Sequence, residues 1–262
     1  MMEGLHLLEV LLNTQMLPHE VYYQPVLLQR TAKGKQLLAR LLQNSSLSLI
    51  EVSERVIEAI GDVQASQGVI SVLPLDAFSP AQVCKRRPAT RRPALLILDD
   101  LADPGNMGTL LRTALAADVE AVLLTPNCVD CYNPKVVRSA AGAHVSLPIE
   151  TDMSWQTIAE RIAAHCQAVQ RVLLAEAGSE HVYYEQDLTV PFALIIGNEA
   201  HGPSTAAQML ATLTISIPLC NGVESLNAAM AGGILLYEAL RQRQITTGYS
   251  SREAIPPIAP GT

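Results

Sequence analysis

"IPLCNGVESLNAAMAGGILLYEAL", residues 217–240, reads as a strand that turns and continues as a helix. The predicted helix opens near Ser225 or Leu226 and passes Asn227, Ala228, Ala229, Ala231, Gly232 and Gly233 before large residues take over. Each interior glycine costs roughly 1 kcal/mol relative to alanine, so something must approach this backbone closely. Upstream, apolar runs at 94–98, 121–124, 171–175, 192–197 and 213–219 read as further strands, most of them separated by helical patterns. Strands alternating with helices predict an α/β domain with a mainly parallel sheet covered on both faces. Ligands of such sheets bind beyond the carboxyl ends of the strands.

Three strand ends carry the polar and small residues that chemistry requires. In "LLILDDLADPGNMGTLLRTALAADV" (95–119) the spacing predicts a turn at Asp103-Pro104-Gly105 and a helix from about Asn106, which could cap it. Gly108 and Arg112 lie four apart, so the guanidinium is expected to reach back over a bare surface toward the helix N-terminus, where anions are favoured. An ordinary surface arginine fits the same spacing. In "FALIIGNEAHGPS" (192–204) glycines bracket Glu199 at a strand end, which lets a ligand approach the backbone. A lone capping acid is the plainer reading. The third end is the opening stretch, where Ser225 could cap the helix and leave Asn227 free. Neither a GxGxxG fingerprint nor a GxxxxGK[ST] loop is present.

Helical spacing in "GLHLLEVLLNTQ" (4–15) and "KGKQLLARLLQ" (33–43), with strands predicted in "VYYQPVLL" (21–28) and "GVISVLPL" (68–75), marks residues 1–75 as a small α/β domain. Pro80, Pro88 and Pro93 fall in a stretch of little periodicity, so 76–93 reads as a linker, 94–245 as the main domain and 246–262 as a frayed tail. The net charge of -7 is uneven: residues 1–92 carry +2 and residues 93–262 carry -9. Within "CKRRPATRR" (84–92) the cations Lys85, Arg86, Arg87, Arg91 and Arg92 could engage phosphates, because screening keeps each charge local. A solvated basic linker is the alternative. Lys135 and Arg138, on a short helix begun by Asn133-Pro134, could also touch phosphate.

No apolar run reaches the length of a membrane span, and no secretory signal is evident. The five cysteines are odd in number and scattered, which suits a reducing cytoplasm. "CVDC" (128–131) lacks two further ligands for a structural zinc site, so no metal is expected.

"DPGNMGTLLRTA" (103–114), "LIIGNEAHGPS" (194–204) and "ISIPLCNGVESLNAAMAGGILLYEAL" (215–240) resemble, in order and spacing, the three motifs of the SpoU/TrmH family of RNA ribose methyltransferases in the SPOUT superfamily. "NPKVVRSAAGAHVSLPI" (133–149) is similar to the family's connecting segment, and "SQGVISVLPL" (66–75) to its small ribosomal-protein-like substrate-binding domain. Such relatives usually carry a further basic segment and a first strand before the point where this chain begins.

The resemblance implies a SPOUT-type parallel sheet with a C-terminal trefoil knot, formed by the second and third motifs around S-adenosyl-methionine. It makes Gly197, Ile217, Leu219 and Leu226 cofactor-binding residues. Asn106, Arg112, Glu199, Ser225 and Asn227 match the catalytic or supporting positions. The Gly/Ala-rich helix would let loops and cofactor crowd together. Pro203 and Ala140 depart from the family, where leucine and serine are common. The implied reaction moves a methyl group to a ribose 2′-OH of structured RNA, rRNA before tRNA, by a homodimer. A guanidinium stays protonated, so Arg112 suits stabilisation of a forming alkoxide better than proton abstraction. The alternative is a catalytically silent RNA-binding or ribosome-assembly factor.

Overall fold

The computed structural model describes residues 1–63, 65–87, 94–166 and 170–247. The chain divides into two compact units, Met1–Phe78 and a larger one beginning at Ser79. The first contains β1 (Met2–Glu3), α1 (Leu5–Asn13), β2 (Glu20–Tyr23), α2 (Pro25–Leu28), α3 (Ala32–Gln43), β3 (Ser48–Glu51), α4 (Glu54–Ile60) and β4 (Val69–Val72). Its sheet runs β1-β4-β2-β3, with only β2 and β3 parallel. Leu8, Val21, Leu28, Leu37, Leu41 and Val69 fill one face, and Leu27, Ile57 and Ile70 cluster separately.

The strand predicted across 21–28 stops at Tyr23. Gln24 turns the chain by accepting the Leu27 N–H at 2.7 Å, and Pro25 opens α2, where its missing N–H costs nothing. The predicted strand 68–75 likewise covers only Val69–Val72. Met2–Glu3 forms a short first strand opposite Ser71 and Ile70.

The expected linker is structured at its start. Leu75–Phe78 is a 3-10 turn, and α5 (Pro80–Arg86) buries Val83. Arg87 is no solvated cation, because its guanidinium donates to the carbonyls of Val119 (3.0 Å) and Glu120 (2.9 Å) and meets Asp118 at 3.3 Å. Only 10% of that side chain is accessible. Arg86 donates to the Val145 carbonyl at 3.3 Å, whereas Lys85 is exposed. Arg91 and Arg92 lie outside the described residues.

The second unit continues with β5 (Ala94–Leu98), α6 (Pro104–Ala116), β6 (Ala121–Leu124), α7 (Pro134–Ser139), β7 (Ile149–Glu150), α8 (Trp155–Cys166), β8 (Val172–Ala175), β9 (Phe192–Ile196), α9 (Thr205–Leu210), β10 (Leu213–Ile215) and α10 (Ala228–Thr247). α10 therefore includes the start of the predicted tail, and residues 248–262 lie outside the described residues. Six parallel strands are ordered β10-β8-β9-β5-β6-β7. Period-two alternation sorts the strand residues between two helical layers. Leu96, Leu98, Leu194 and Ile196 pack with Leu110 and Leu111 of α6 and Leu235 and Leu236 of α10. Leu95, Ile97, Ala193 and Ile195 pack with Ile158 and Ile162 of α8 and Ala207 of α9.

Helix packing accounts for the first of the paired glycines in α10. A methyl group on Gly232 would lie 2.5 Å from Leu110 Cδ2, so this glycine seats α10 on α6. Gly233 has Thr113 Cγ2 at an ordinary 3.8 Å. The surface at Gly108 is not bare either. α7 covers it, and an added methyl would collide with Ser139 Oγ and come within 2.8 Å of the Val136 carbonyl.

At the start of β6, Glu120 is held between His165 Nδ1 (3.1 Å) and Arg161 Nη2 (2.9 Å). The His165 hydrogen bond, aided by Arg161 and opposed by burial, lowers its carboxyl from 4.5 to about 2. A depressed carboxyl adds stability in full above its unfolded pKa and loses it as pH falls through its folded pKa. Glu120→Gln should therefore lower the thermal midpoint at pH 7. The gap from wild type should narrow as pH drops from 4.5 toward about 2. Thermal denaturation across that range checks it, and a gap independent of pH would refute the assignment.

Candidate functional site

The site is built where β5 and β9 end side by side. After the last ladder bond, Asp99 N–H to the Ile196 carbonyl at 2.9 Å, side chains take over. Asn198 donates through Nδ2 to the Asp100 carbonyl at 2.7 Å, and Ser204 N–H donates to Asp99 Oδ2 at 2.7 Å. Between these anchors, Asn198 and Gly202 exchange backbone hydrogen bonds of 3.1 and 3.0 Å, folding 197–204 into a tight hairpin. Gly197 is obligatory there, since a methyl group would lie 2.6 Å from Pro203 N. Asp99 is buried, and burial raises its pKa despite the Ser204 hydrogen bond.

Two helix N-termini face this hairpin, and neither is capped as the sequence suggests. Asp103, not Asn106, caps α6: its Oδ1 accepts the Asn106 N–H at 2.7 Å, with Pro104 at the first helical position. Asn227, not Ser225, caps α10: its Oδ1 accepts the N–H groups of Ala229 (3.0 Å) and Met230 (3.2 Å). With both backbones held, the side chains join. Asn227 Nδ2 donates to Asn106 Oδ1 at 2.9 Å, and Asn106 Nδ2 donates to Glu199 Oε1 at 2.9 Å. The Glu199 carboxylate also accepts the N–H groups of Asp103 (3.3 Å) and Ala102 (3.4 Å).

These groups line a cavity of about 960 Å³ over the carboxyl ends of β5, β8, β9 and β10. Gly197, Ile217, Leu219 and Leu226, together with Asn106, Glu199, Ser225 and Asn227, all line it. Arg112 does not. Six residues beyond Asn106, it sits about 120° around the helix axis, on the exposed face of α6. Arg138 is half-buried on α7 and does not line the cavity.

Asp103 and Glu176 also belong to the lining, and the sequence reading missed both as site residues. An aspartate directly before a proline was the available signal for the first. Glu176 follows β8 with nothing local to mark it. No Lys or Arg is among the described lining residues, so the cavity is acidic.

Cys128 Sγ donates to the Leu98 carbonyl at 3.2 Å, and Cys131 is buried, its thiol pushed up to about 12 by desolvation. His144 is buried as well, with Nε2 at 2.7 Å from the Cys131 carbonyl. His201 is exposed in the hairpin.

Comparison with known proteins bears on this geometry. A family model described as the SpoU rRNA Methylase family matches residues 93–237. An uncharacterized tRNA/rRNA methyltransferase of Synechocystis is 34% identical, covering 93% of this chain and 84% of that one. Mouse mitochondrial rRNA methyltransferase 3 is 32% identical over 79% of this chain and 60% of its own length, so the chain spans about three fifths of it. A 23S rRNA uridine 2′-O-methyltransferase of Streptomyces viridochromogenes is 35% identical over 63% of this chain and 58% of its own. Among solved structures, the SpoU methyltransferase AviRb of Streptomyces viridochromogenes in complex with AdoMet superposes with a TM-score of 0.75. It is 26% identical, with 92% of this chain and 89% of that one covered.

Proposed function

The chain belongs to the SpoU rRNA methylase family, and on that premise we propose that it transfers a methyl group from S-adenosyl-methionine to a ribose 2′-OH of structured RNA, rRNA before tRNA. The observation that carries the reading is the cavity itself. It is apolar where Ile196, Ile215, Ile217 and Leu235 line it and polar where Glu199, Asn106 and Asn227 are chained. Its volume lies near the upper end of the range for ligand pockets, about 300–1,000 Å³, which suits a cofactor with a substrate ribose beside it. Carboxylates without a lining cation suit a sulfonium ligand.

Bound S-adenosyl-methionine supplies an electrophilic methyl group. This chain's own residues have to hold the ribose hydroxyl in line and accommodate the charge that develops on its oxygen. Gly197, Ile217, Leu219 and Leu226 hold the cofactor in a hairpin and loop that form the knot the resemblance implies. Ser225 and Asn227 orient the ribose. Arg112 reaches it from outside the cavity and supplies the cation that the lining lacks.

The exposed Met230 and Tyr237 lie on α10, which packs on α6, and support a homodimer formed through this side of the molecule. Residues 1–75 select the RNA, with exposed Lys85 and half-buried Arg138 as phosphate contacts on the larger unit. Five free thiols support a cytoplasmic site of action.

Methyl transfer from labelled S-adenosyl-methionine to ribosomal RNA, followed by digestion to nucleosides, tests the reaction. A 2′-O-methyl nucleoside is expected, and label on a base would overturn the assignment. Arg112→Lys keeps the charge and loses the planar fork. It should cost about 100-fold or more in turnover while cofactor affinity by calorimetry stays unchanged. Sedimentation should give twice the chain mass at micromolar concentration, and Met230→Lys with Tyr237→Lys should halve it.

A further inference from the structure

The chain of amides in the cavity has a direction, and the direction is imposed at both ends. At one end Asn227 Oδ1 is committed to the N–H groups of Ala229 and Met230, so only its Nδ2 can face Asn106. At the other end a carboxylate can only accept, so only Asn106 Nδ2 can face Glu199. Asn106 then has no freedom: its Oδ1 takes the Asn227 hydrogen and its Nδ2 gives to Glu199. Each Nδ2 carries a second hydrogen, and both asparagines line the cavity. A substrate oxygen there meets N–H donors, the arrangement that stabilises a developing oxyanion. If Asn106 were turned the other way, its Nδ2 would face the Asn227 Nδ2, and the bond could be kept only by turning Asn227 out of its cap on α10.

Resting on the methyl-transfer reading, we propose that Glu199 is a positioning residue and not the proton acceptor. Its carboxylate sets the orientation of Asn106 and, through it, secures that of Asn227, so that donors point at the ribose oxygen. The groups around it fit that task. Oε1 already receives Asn106 Nδ2 and Asp103 N–H, and Oε2 receives Ala102 N–H, so three donors converge on a group that a base would keep open for the substrate proton. The reacting hydroxyl's proton then leaves to another acceptor or to solvent.

A glutamine at position 199 can still accept from Asn106 and Asp103 through its carbonyl oxygen, at the cost of facing its Nε2 toward Ala102 N–H in place of the 3.4 Å contact. Positioning therefore predicts that Glu199→Gln keeps kcat within about tenfold of wild type, whereas Glu199→Ala, which releases Asn106, falls about 100-fold or more at unchanged KM for the cofactor. Asn106→Asp gives a second, independent arm. Alone it sets two carboxylates at hydrogen-bond distance. Combined with Glu199→Gln it restores both side-chain bonds, because the new carboxylate accepts from the new amide and still offers an oxygen to Asn227 Nδ2. The double variant should turn over at least tenfold faster than Asn106→Asp alone. Steady-state kinetics on all four variants, with cofactor binding by calorimetry to confirm that each is folded, reads the outcome. Glu199→Gln as inactive as Glu199→Ala, or a double variant no better than Asn106→Asp, would overturn the proposal. A wild-type protein that neither binds S-adenosyl-methionine nor methylates RNA would instead remove the reading on which it rests.

Discussion

The site depends on the way the ends of β5 and β9 are bound to each other. The pair is central in the sheet, and its ladder continues past the strands through Asn198 Nδ2 to the Asp100 carbonyl and Ser204 N–H to Asp99 Oδ2. Asp99 is buried with one oxygen left without a partner, which is an unfavourable place for a carboxyl. Its bond to Ser204 closes the hairpin that carries Gly197 and Glu199. Asp100 adds a left-handed residue at φ 55, held by Thr125 Oγ1 and Asn127 Nδ2 on its carboxylate. Strain and an unsatisfied polar atom fall together beside the hairpin that carries Glu199, as expected where precise placement outranks local stability.

Close packing sets the second condition. In the larger unit, three glycines mark places where elements touch too tightly for a side chain: Gly108 under Ser139, Gly232 against Leu110, and Gly197 against Pro203. The first two lock α6 between α7 and α10, and the third closes the hairpin. α6 and α10 then bring Asn106 and Asn227 to within a hydrogen bond although they lie 121 residues apart in the chain. Gly108 and Gly232 act at one remove from chemistry, by fixing the helices whose first turns carry the polar groups, whereas Gly197 lines the cavity itself.

Most strands of the larger unit were legible because each is a short apolar run ending in polar and small residues, as at Leu98-Asp99 and Ile196-Gly197. But β10 stops at Ile215, short of the run predicted to 219 and before the stretch that opens at Ile217. β1 and β7, of two residues each, are too short to show alternation. The helix caps were misread for a chemical reason. Asp103 and Asn106, like Ser225 and Asn227, are all competent caps, and sequence alone does not say which backbone N–H groups each can reach. Arg87 shows the complementary limit. Its neighbours in the chain make it one of a basic run, whereas its partners at 118–120 come from the turn between α6 and β6. Charge clusters are visible in sequence, but the carbonyls that absorb them are not.

Charge then divides the labour between the surfaces. The cavity, with Asp103, Glu176 and Glu199 on its walls, attracts a cation and repels a phosphate. RNA affinity cannot come from the cavity itself, and it has to be supplied by cations outside the lining. Arg112 is exposed on α6, while Arg87 and Arg86 are already engaged by carbonyls of their own unit. Because screening confines each charge to about 8 Å at physiological salt, an acidic cavity and cations elsewhere on the surface can coexist. A positive ligand can enter the first while a polyanion rests on the second. The ribose hydroxyl, which carries no charge until it reacts, is the part of such a polyanion that the cavity does not repel.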